Sequence, residues 1–215
     1  MDNGLETTSP GRRLINNNMI NDYINSHEIK KLQIGSGDNL LEGWLNTDYS
    51  TLNAVVRFPI DDNVFDYVYN EHMIEHLTWQ EGLFMLKEAY RVLKPGGRIR
   101  VTTPGLEFLI DLFTNRNELN TNYTTWGTIA NGLPHEDPAM VINNFVRAWG
   151  HQFIYSKELL IKTFEMAGFQ NMKEYKILES DDPVFQNLEY ARRMPDGYLQ
   201  RESMTVEATK PFDSN

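Results

Sequence analysis

Lys31-Leu32-Gln33-Ile34-Gly35-Ser36-Gly37 decides the fold. A short strand runs into two glycines one residue apart, which lets the backbone turn sharply and approach a ligand closely. The next extended stretch, Trp44-Leu45-Asn46-Thr47-Asp48, ends on an acid. A carboxylate at the end of the second strand is placed to hold ribose hydroxyls.

Downstream, Val55 to Phe58 reads as a short edge strand stopped by Pro59, and Phe65 to Tyr69 as a strand. Glu71 to Leu77 opens a helical turn. Trp79 to Leu93 places Leu83, Phe84, Leu86, Ala89, Tyr90 and Leu93 on one apolar face, then stops at Lys94-Pro95-Gly96-Gly97. Arg98 to Thr103 is the next strand, ended by Pro104. Upstream, residues 1–12 read as a flexible tail and Arg13 to Ser26 as a helix. Leu106 to Phe113 is helical. Residues 115–150, rich in Asn and Thr, read as a long irregular cap with one helix at Ala139 to Arg147. Ser156 to Ala167 is a helix capped by its serine and stopped by Gly168. Met172 to Leu178 and Met204 to Lys210 are the last strands, with a loop or short helix from Asp181 to Arg201. Strands alternating with helices predict one α/β domain over residues 13–215. Its sheet is doubly wound and mostly parallel, with an antiparallel edge strand.

Composition narrows the function. The 215 residues hold 20 Lys and Arg against 30 Asp and Glu, a formal net charge of −10, which argues against a nucleic-acid partner. The absence of cysteine excludes disulfides, thiolate metal sites and a cysteine nucleophile. No apolar run reaches the ~18 residues of a membrane span. Met1-Asp2-Asn3-Gly4 is polar, with no apolar leader behind it. The expectation is a soluble cytoplasmic protein with no membrane span.

Ligands in open α/β sheets bind beyond the C-terminal strand ends, where Gly35 to Gly37, Asp48, Ile60, Asp61, Asn70, Glu71 and Pro104 all fall. Several motifs appear in order: Gly35-Ser36-Gly37 with Asp48, Phe58-Pro59-Ile60-Asp61-Asp62 before Phe65-Asp66-Tyr67-Val68, Glu75-His76, and Tyr90-Arg91-Val92-Leu93-Lys94-Pro95-Gly96-Gly97-Arg98. This set resembles the class I S-adenosylmethionine-dependent methyltransferases, over about Lys31 to Pro104. The resemblance implies a Rossmann-like domain with a cap insertion and S-adenosylmethionine as cofactor. Gly35, Ser36 and Gly37 would cradle the methionine part, Asp48 the ribose, Ile60 and Asp61 the adenine, and Asn70 with Glu71 would lie near the sulfonium end. Gly37 and Asp48 lie closer than the roughly 20 residues usual in dinucleotide-binding units, so the first crossover must be short. Asp61 and Asp62 then stay open as alternative ribose ligands.

His72, Glu75 and His76 have i, i+3, i+4 spacing, which on a helix shares one face and can hold a divalent metal. The pattern is also that of some zinc peptidases, but its place at a cofactor-strand end speaks against that reading. It is similar to the metal site of certain O-methyltransferases, which would add the distant His151 as a ligand and use magnesium or manganese. The third reading gives the histidines a pocket role without metal. His72, His76 and His151 are thus candidates for acid–base work, and His72, Glu75, His76 and His151 for a metal site. Histidines near the methyl end favour a hydroxyl acceptor, which is neutral at pH 7 and needs a base. The cap residues Tyr123, Trp126, Asn143, Asn144, Phe145 and Trp149 suit stacking on a sugar, or form the cap's own core. The stretch Val141 to Phe145 and Trp149 to Tyr155 resembles small methyltransferases that accompany surface-glycan assembly. That implies a sugar or glycan hydroxyl as acceptor and glycosyltransferases as partners. A quinone or lipid precursor as acceptor, and a non-catalytic cofactor-binding protein, are the alternatives.

Overall fold

The computed structural model describes residues 10–212. Six strands form one sheet: β1 (Lys31–Ile34), β2 (Leu45–Thr47), β3 (Phe65–Glu71), β4 (Leu93–Pro104), β5 (Gln170–Tyr175) and β6 (Ser203–Thr209). Their order is β2-β1-β3-β4-β6-β5. The first four run parallel, and β6 runs antiparallel to both β4 and β5. This is the mostly parallel α/β sheet expected, with its antiparallel strand one place in from the edge.

Strand alternation gives the sheet two unlike faces. Leu32, Ile34, Val68, Ile99, Val101, Val206 and Ala208 point to one side and are buried in a single apolar core. The helices α2 (Trp79–Val92) and α6 (Lys157–Ala167) cover that side, and Ile20 of α1 (Pro10–Ser26) joins it. Helix α2 starts on a capping box between Thr78 and Glu81 and buries Met85, Leu86, Ala89 and Val92. Helix α6 is capped by Ser156 and ends at Gly168, at φ 103°. The opposite face carries Gln33, Tyr69, Arg100, Thr102, Thr205 and Glu207, all buried. An irregular stretch, residues 176–190, lies over it and packs Phe185 and Leu188 against Trp44 and Tyr69.

Several sequence expectations are corrected. Val55 to Phe58 is no strand: the Phe58 N–H donates to Glu88 Oε2, and Arg91 donates to the carbonyls of Phe58 and Ile60. Side chains of α2 thus take the backbone groups a neighbouring strand would need. Neither residues 35–44 nor residues 48–64 form a crossover helix. The stretch 115–150 is not irregular but forms α4 (Glu118–Ala130) and α5 (Pro138–Arg147), which pack with α3 (Leu106–Thr114) into a separate apolar cluster. Residues 10–12 open α1, and the rest of the expected tail, 1–9, lies outside the described residues. The strand expected to run to Leu178 ends at Tyr175, because Leu178 has φ 65° and its N–H goes to Glu189. The link to β6 holds two single helical turns and α7 (Tyr198–Glu202).

Candidate active site

The side expected to hold a cofactor is built from loops at the strand ends. Gly35 has φ 72°, and a β-carbon there would lie 2.5 Å from Cγ of Met73, so glycine is required both by conformation and by contact. Gly37 has φ 50° and open space where a β-carbon would be. Ser36 is buried, and its N–H donates to the Thr47 carbonyl, which ties the glycine loop to β2. Asp48 is exposed, and its Oδ1 takes bonds from the N–H and hydroxyl groups of Ser50 and Thr51. The Ser50 hydroxyl leads the bonds that hold its carboxyl below the ordinary range. None of these bonds uses Oδ2. Ile60 is buried and Asp61 exposed, on the loop that Arg91 clamps. Asn70 is fully buried at the end of β3; its Nδ2 donates to the Ile34 carbonyl and its Oδ1 has no partner. Glu71 accepts from Asn39 and from the Tyr190 N–H, and burial pushes its carboxyl up. The open space at Gly37, the spare Asp48 oxygen and the orphaned Asn70 oxygen fit S-adenosylmethionine.

The histidine cluster is not laid out by helical spacing. Only Ile74–His76 forms a helical turn, of the tight 3₁₀ kind, and His72 precedes it with φ 45°. Glu75, His76 and His151 each offer a ligand atom within 4.8 Å of the others. His72 is outside that group: its Nε2 bonds Ser203 Oγ at 2.7 Å and its Nδ1 lies 3.5 Å from Glu75 Oε1. The rings of His76 and His151 meet edge to face, with centroids 5.0 Å apart. His151 Nδ1 is 2.7 Å from the Phe145 carbonyl, which can only accept. Nδ1 therefore carries the proton, and Nε2 keeps its lone pair. Burial pushes all three imidazoles down, so they are neutral at pH 7. Burial pushes Glu75 up to about 8 although Thr103 donates to it, and its Oε1 has no hydrogen-bond partner.

These groups line a cavity of about 400 Å³ between the strand ends and the cap. Tyr123, Trp126, Asn144, Phe145 and Trp149 form its cap wall, as the sequence led one to expect, and most of these aromatics also pack the cap's own cluster. Asn143 lies elsewhere, with its amide donating to the Ala139 carbonyl. Three cavity residues had no sequence signal: Arg193, Met194 and Glu202. Arg193 and Met194 arrive from the link before β6 and Glu202 from the end of α7; the bonds of Tyr190 to Glu71 and of Gly105 to Glu202, with the pairing of Ser203 with Pro104, bring them to the site. Glu202 accepts from the Tyr123 hydroxyl, and burial pushes it up to about 7.

Part of the chain is similar to known proteins. Residues 32–101, which run from the first glycine-loop strand into β4, match the family described as Methyltransferase domain. A stretch of 57 residues is 40% identical to phosphoethanolamine N-methyltransferase 2 of Caenorhabditis elegans, covering 26% of this chain and 12% of that protein. Among solved structures, a SAM-dependent methyltransferase from Thermotoga maritima aligns over 93% of this chain and 94% of its own, at 16% identity and a TM-score of 0.45. Phosphoethanolamine N-methyltransferase 2 of Haemonchus contortus, solved with S-adenosylhomocysteine and phosphomonomethylethanolamine, aligns over 94% of this chain and 54% of its own. That alignment has 14% identity and a TM-score of 0.48. Residues 32–101 are thus similar to a methyltransferase domain, and the chain spans only a small part of the curated relative it matches. No helix among the described residues is long and apolar enough to cross a membrane.

Proposed function

We propose that the chain transfers a methyl group from S-adenosylmethionine to a hydroxyl of a sugar or related polyol bound in the cap cavity. The observation that carries this reading is His151: a neutral imidazole with its Nδ1 proton committed to the Phe145 carbonyl and a free Nε2 beside the cavity. S-adenosylmethionine supplies the electrophilic methyl carbon. As the acceptor oxygen bonds that carbon, the carbon–sulfur bond breaks with its electron pair going to sulfur, and the hydroxyl proton passes to an imidazole. His76 stands edge-on to His151 and is the second base within reach. Trp126 and Trp149 offer faces for a sugar ring, and the Asn144 amide offers hydrogen bonds. Were a divalent cation to serve instead, Glu75, His76 and His151 would hold it, after Glu75 gave up its proton.

An amine acceptor is the second reading. Glu75 and Glu202 share the cavity with aromatic rings, a setting that suits a cation, and the curated relative is named for N-methylation. The test is methyl-labelled S-adenosylmethionine with parallel sets of sugars, amines and quinols, with products read by mass spectrometry, in chelator and with added magnesium or manganese. Label on a sugar oxygen is expected, with the rate unchanged by chelator. Label on amines alone would overturn the oxygen acceptor, and a rate that needs the cation would replace the histidine base by the metal.

A further inference from the structure

Arg193 stands out in the cap cavity. It sits on the single helical turn Ala191–Arg193, its side chain 29% exposed, and lines the cavity wall. It forms an ion pair with Glu71, 3.4 Å from Nη2 to Oε1. Glu71 meanwhile is held by Asn39 and the Tyr190 amide. Among the described residues the Arg193 guanidinium makes no hydrogen bond, so beyond its ion pair with Glu71 it keeps N–H donors to offer on the cavity wall. Other arginines lining the sheet and α2 behave differently: Arg91, Arg98 and Arg100 each bond carboxylates at 2.6 to 2.8 Å.

We infer that Arg193 docks an anionic group, a carboxylate or a phosphate ester, carried by the hydroxylated acceptor. The inference rests on the proposed methyl transfer in this cavity and adds the chemical class of its acceptor: an acidic sugar or a sugar phosphate. A planar guanidinium fork matches either oxyanion with two parallel bonds. The wall that carries it is fixed in place. The Tyr190 N–H is bonded to Glu71, and the Leu188 carbonyl accepts from Asn39. Neutral donors lie on the same cavity, since the side chain of Asn144 makes no hydrogen bond among the described residues. The acid nearest in role, Glu202, keeps its proton up to about pH 7, so it does not repel an incoming anion below that pH. In a chain of net charge −10, a guanidinium on a cavity wall with donors to spare favours negative ligands.

The test is calorimetric titration of the full chain, saturated with S-adenosylhomocysteine, with glucose, glucose 6-phosphate, glucuronate and inorganic phosphate. At least one charged sugar is expected to bind ten-fold or more tightly than glucose, and which one identifies the anion. Arg193→Gln should bring its affinity down to that of glucose, and Arg193→Lys should recover part of the preference. Unchanged circular dichroism and unchanged S-adenosylhomocysteine affinity would show that both variants are folded. Equal affinity for charged and neutral sugars, no binding of any anion, or a preference that survives Arg193→Gln would overturn the inference. Anion binding through Arg193 without methyl transfer to any hydroxyl would instead overturn the proposed reaction and leave the anion site standing.

Discussion

The His151 imidazole is held by a bond from Nδ1 to the Phe145 carbonyl and by the rings of Phe145, Trp149 and His76. Replacing it with asparagine keeps an amide donor near the Nδ1 place for that carbonyl and removes the basic nitrogen. His151→Asn should lower the turnover of a hydroxyl acceptor by about 10²–10⁴-fold, the usual worth of a positioned base. Affinity for S-adenosylhomocysteine should stay the same if His151 acts on the acceptor as proposed; a lost cofactor affinity would place it elsewhere. Glu202 makes a separate prediction. Its folded pKa of about 7 lies above the ordinary 4.5, so the folded state holds the proton more tightly than the unfolded chain. The stability this gives is complete below about pH 4.5 and is lost as pH rises through 7. Glu202→Gln should therefore flatten the pH dependence of thermal unfolding. It should melt higher than wild type at pH 8, at about 2–4 °C per kcal/mol for a chain of this size. At this scale the sequence showed the glycines, the strand-end acids and the grouping of Glu75, His76 and His151. His72 lines the same cavity but stands outside that group, because helical spacing does not apply to a residue at φ 45° before a 3₁₀ turn. Arg193 and Glu202 carry no spacing signal toward Glu75, since long-range contacts bring them there: the Tyr190 bond to Glu71 for Arg193 and the β4–β6 pairing for Glu202.

Elements built from strong local signals were readable, and those built by tertiary contact were not. Helix α2 has a capping box, an apolar face and a Pro-Gly-Gly stop, and it runs where the sequence places it. Helix α4 has an Asn cap but reads Glu-Leu-Asn-Thr-Asn-Tyr-Thr-Thr, which is poor in strong helix formers. It holds because Tyr123 and Trp126 pack on Phe108 and Tyr198. Such stabilisation by packing is common for helices and leaves little trace in propensity. The glycine loop separates two costs that one motif conceals. Gly35→Ala forces φ 72° on a residue with a β-carbon and drives that carbon into Met73, so it should cost more than the ~1–2 kcal/mol of the backbone conformation alone. Gly37→Ala meets no atom within 4 Å, so its stability loss should stay near that backbone value. The new methyl group should instead fill space the cofactor needs and weaken S-adenosylhomocysteine about ten-fold. Denaturant titration and calorimetry on the two variants check the contrast, and equal effects on both readouts would refute it.

Across the whole molecule, the sheet's two faces are covered by different means. The helical face follows from apolar periodicity. The other face does not, because its strands place Arg100, Thr102, Thr205 and Glu207 inward, a pattern that reads as solvent-facing until a cover is known. That cover is residues 176–190, and Arg100 is the post that holds it. Fully buried, it donates to Glu189 and Glu207 and to the carbonyls of Lys176 and Glu179. Glu189 in turn accepts from Thr102 and from the Leu178 N–H. Removing one member of such a buried charge network leaves its partners uncompensated, so Arg100→Ala should cost about 3–5 kcal/mol. Arg100→Lys should recover only part, because an ammonium cannot make the forked bonds. The loss should also be regional. Leu188 and Tyr190, just beyond the network, bond Asn39 of the glycine loop and Glu71 at the end of β3. A cover that loosens should therefore take the cofactor loop with it. In the Arg100→Lys protein, hydrogen exchange should speed up at the amides of Leu178 and Tyr190 and in residues 36–40, while α2 and α6 stay protected. Affinity for S-adenosylhomocysteine should fall with it. Exchange that rises evenly over both faces would mean that the cover and the helical core unfold as one unit, with no special tie between Arg100 and the cofactor loop.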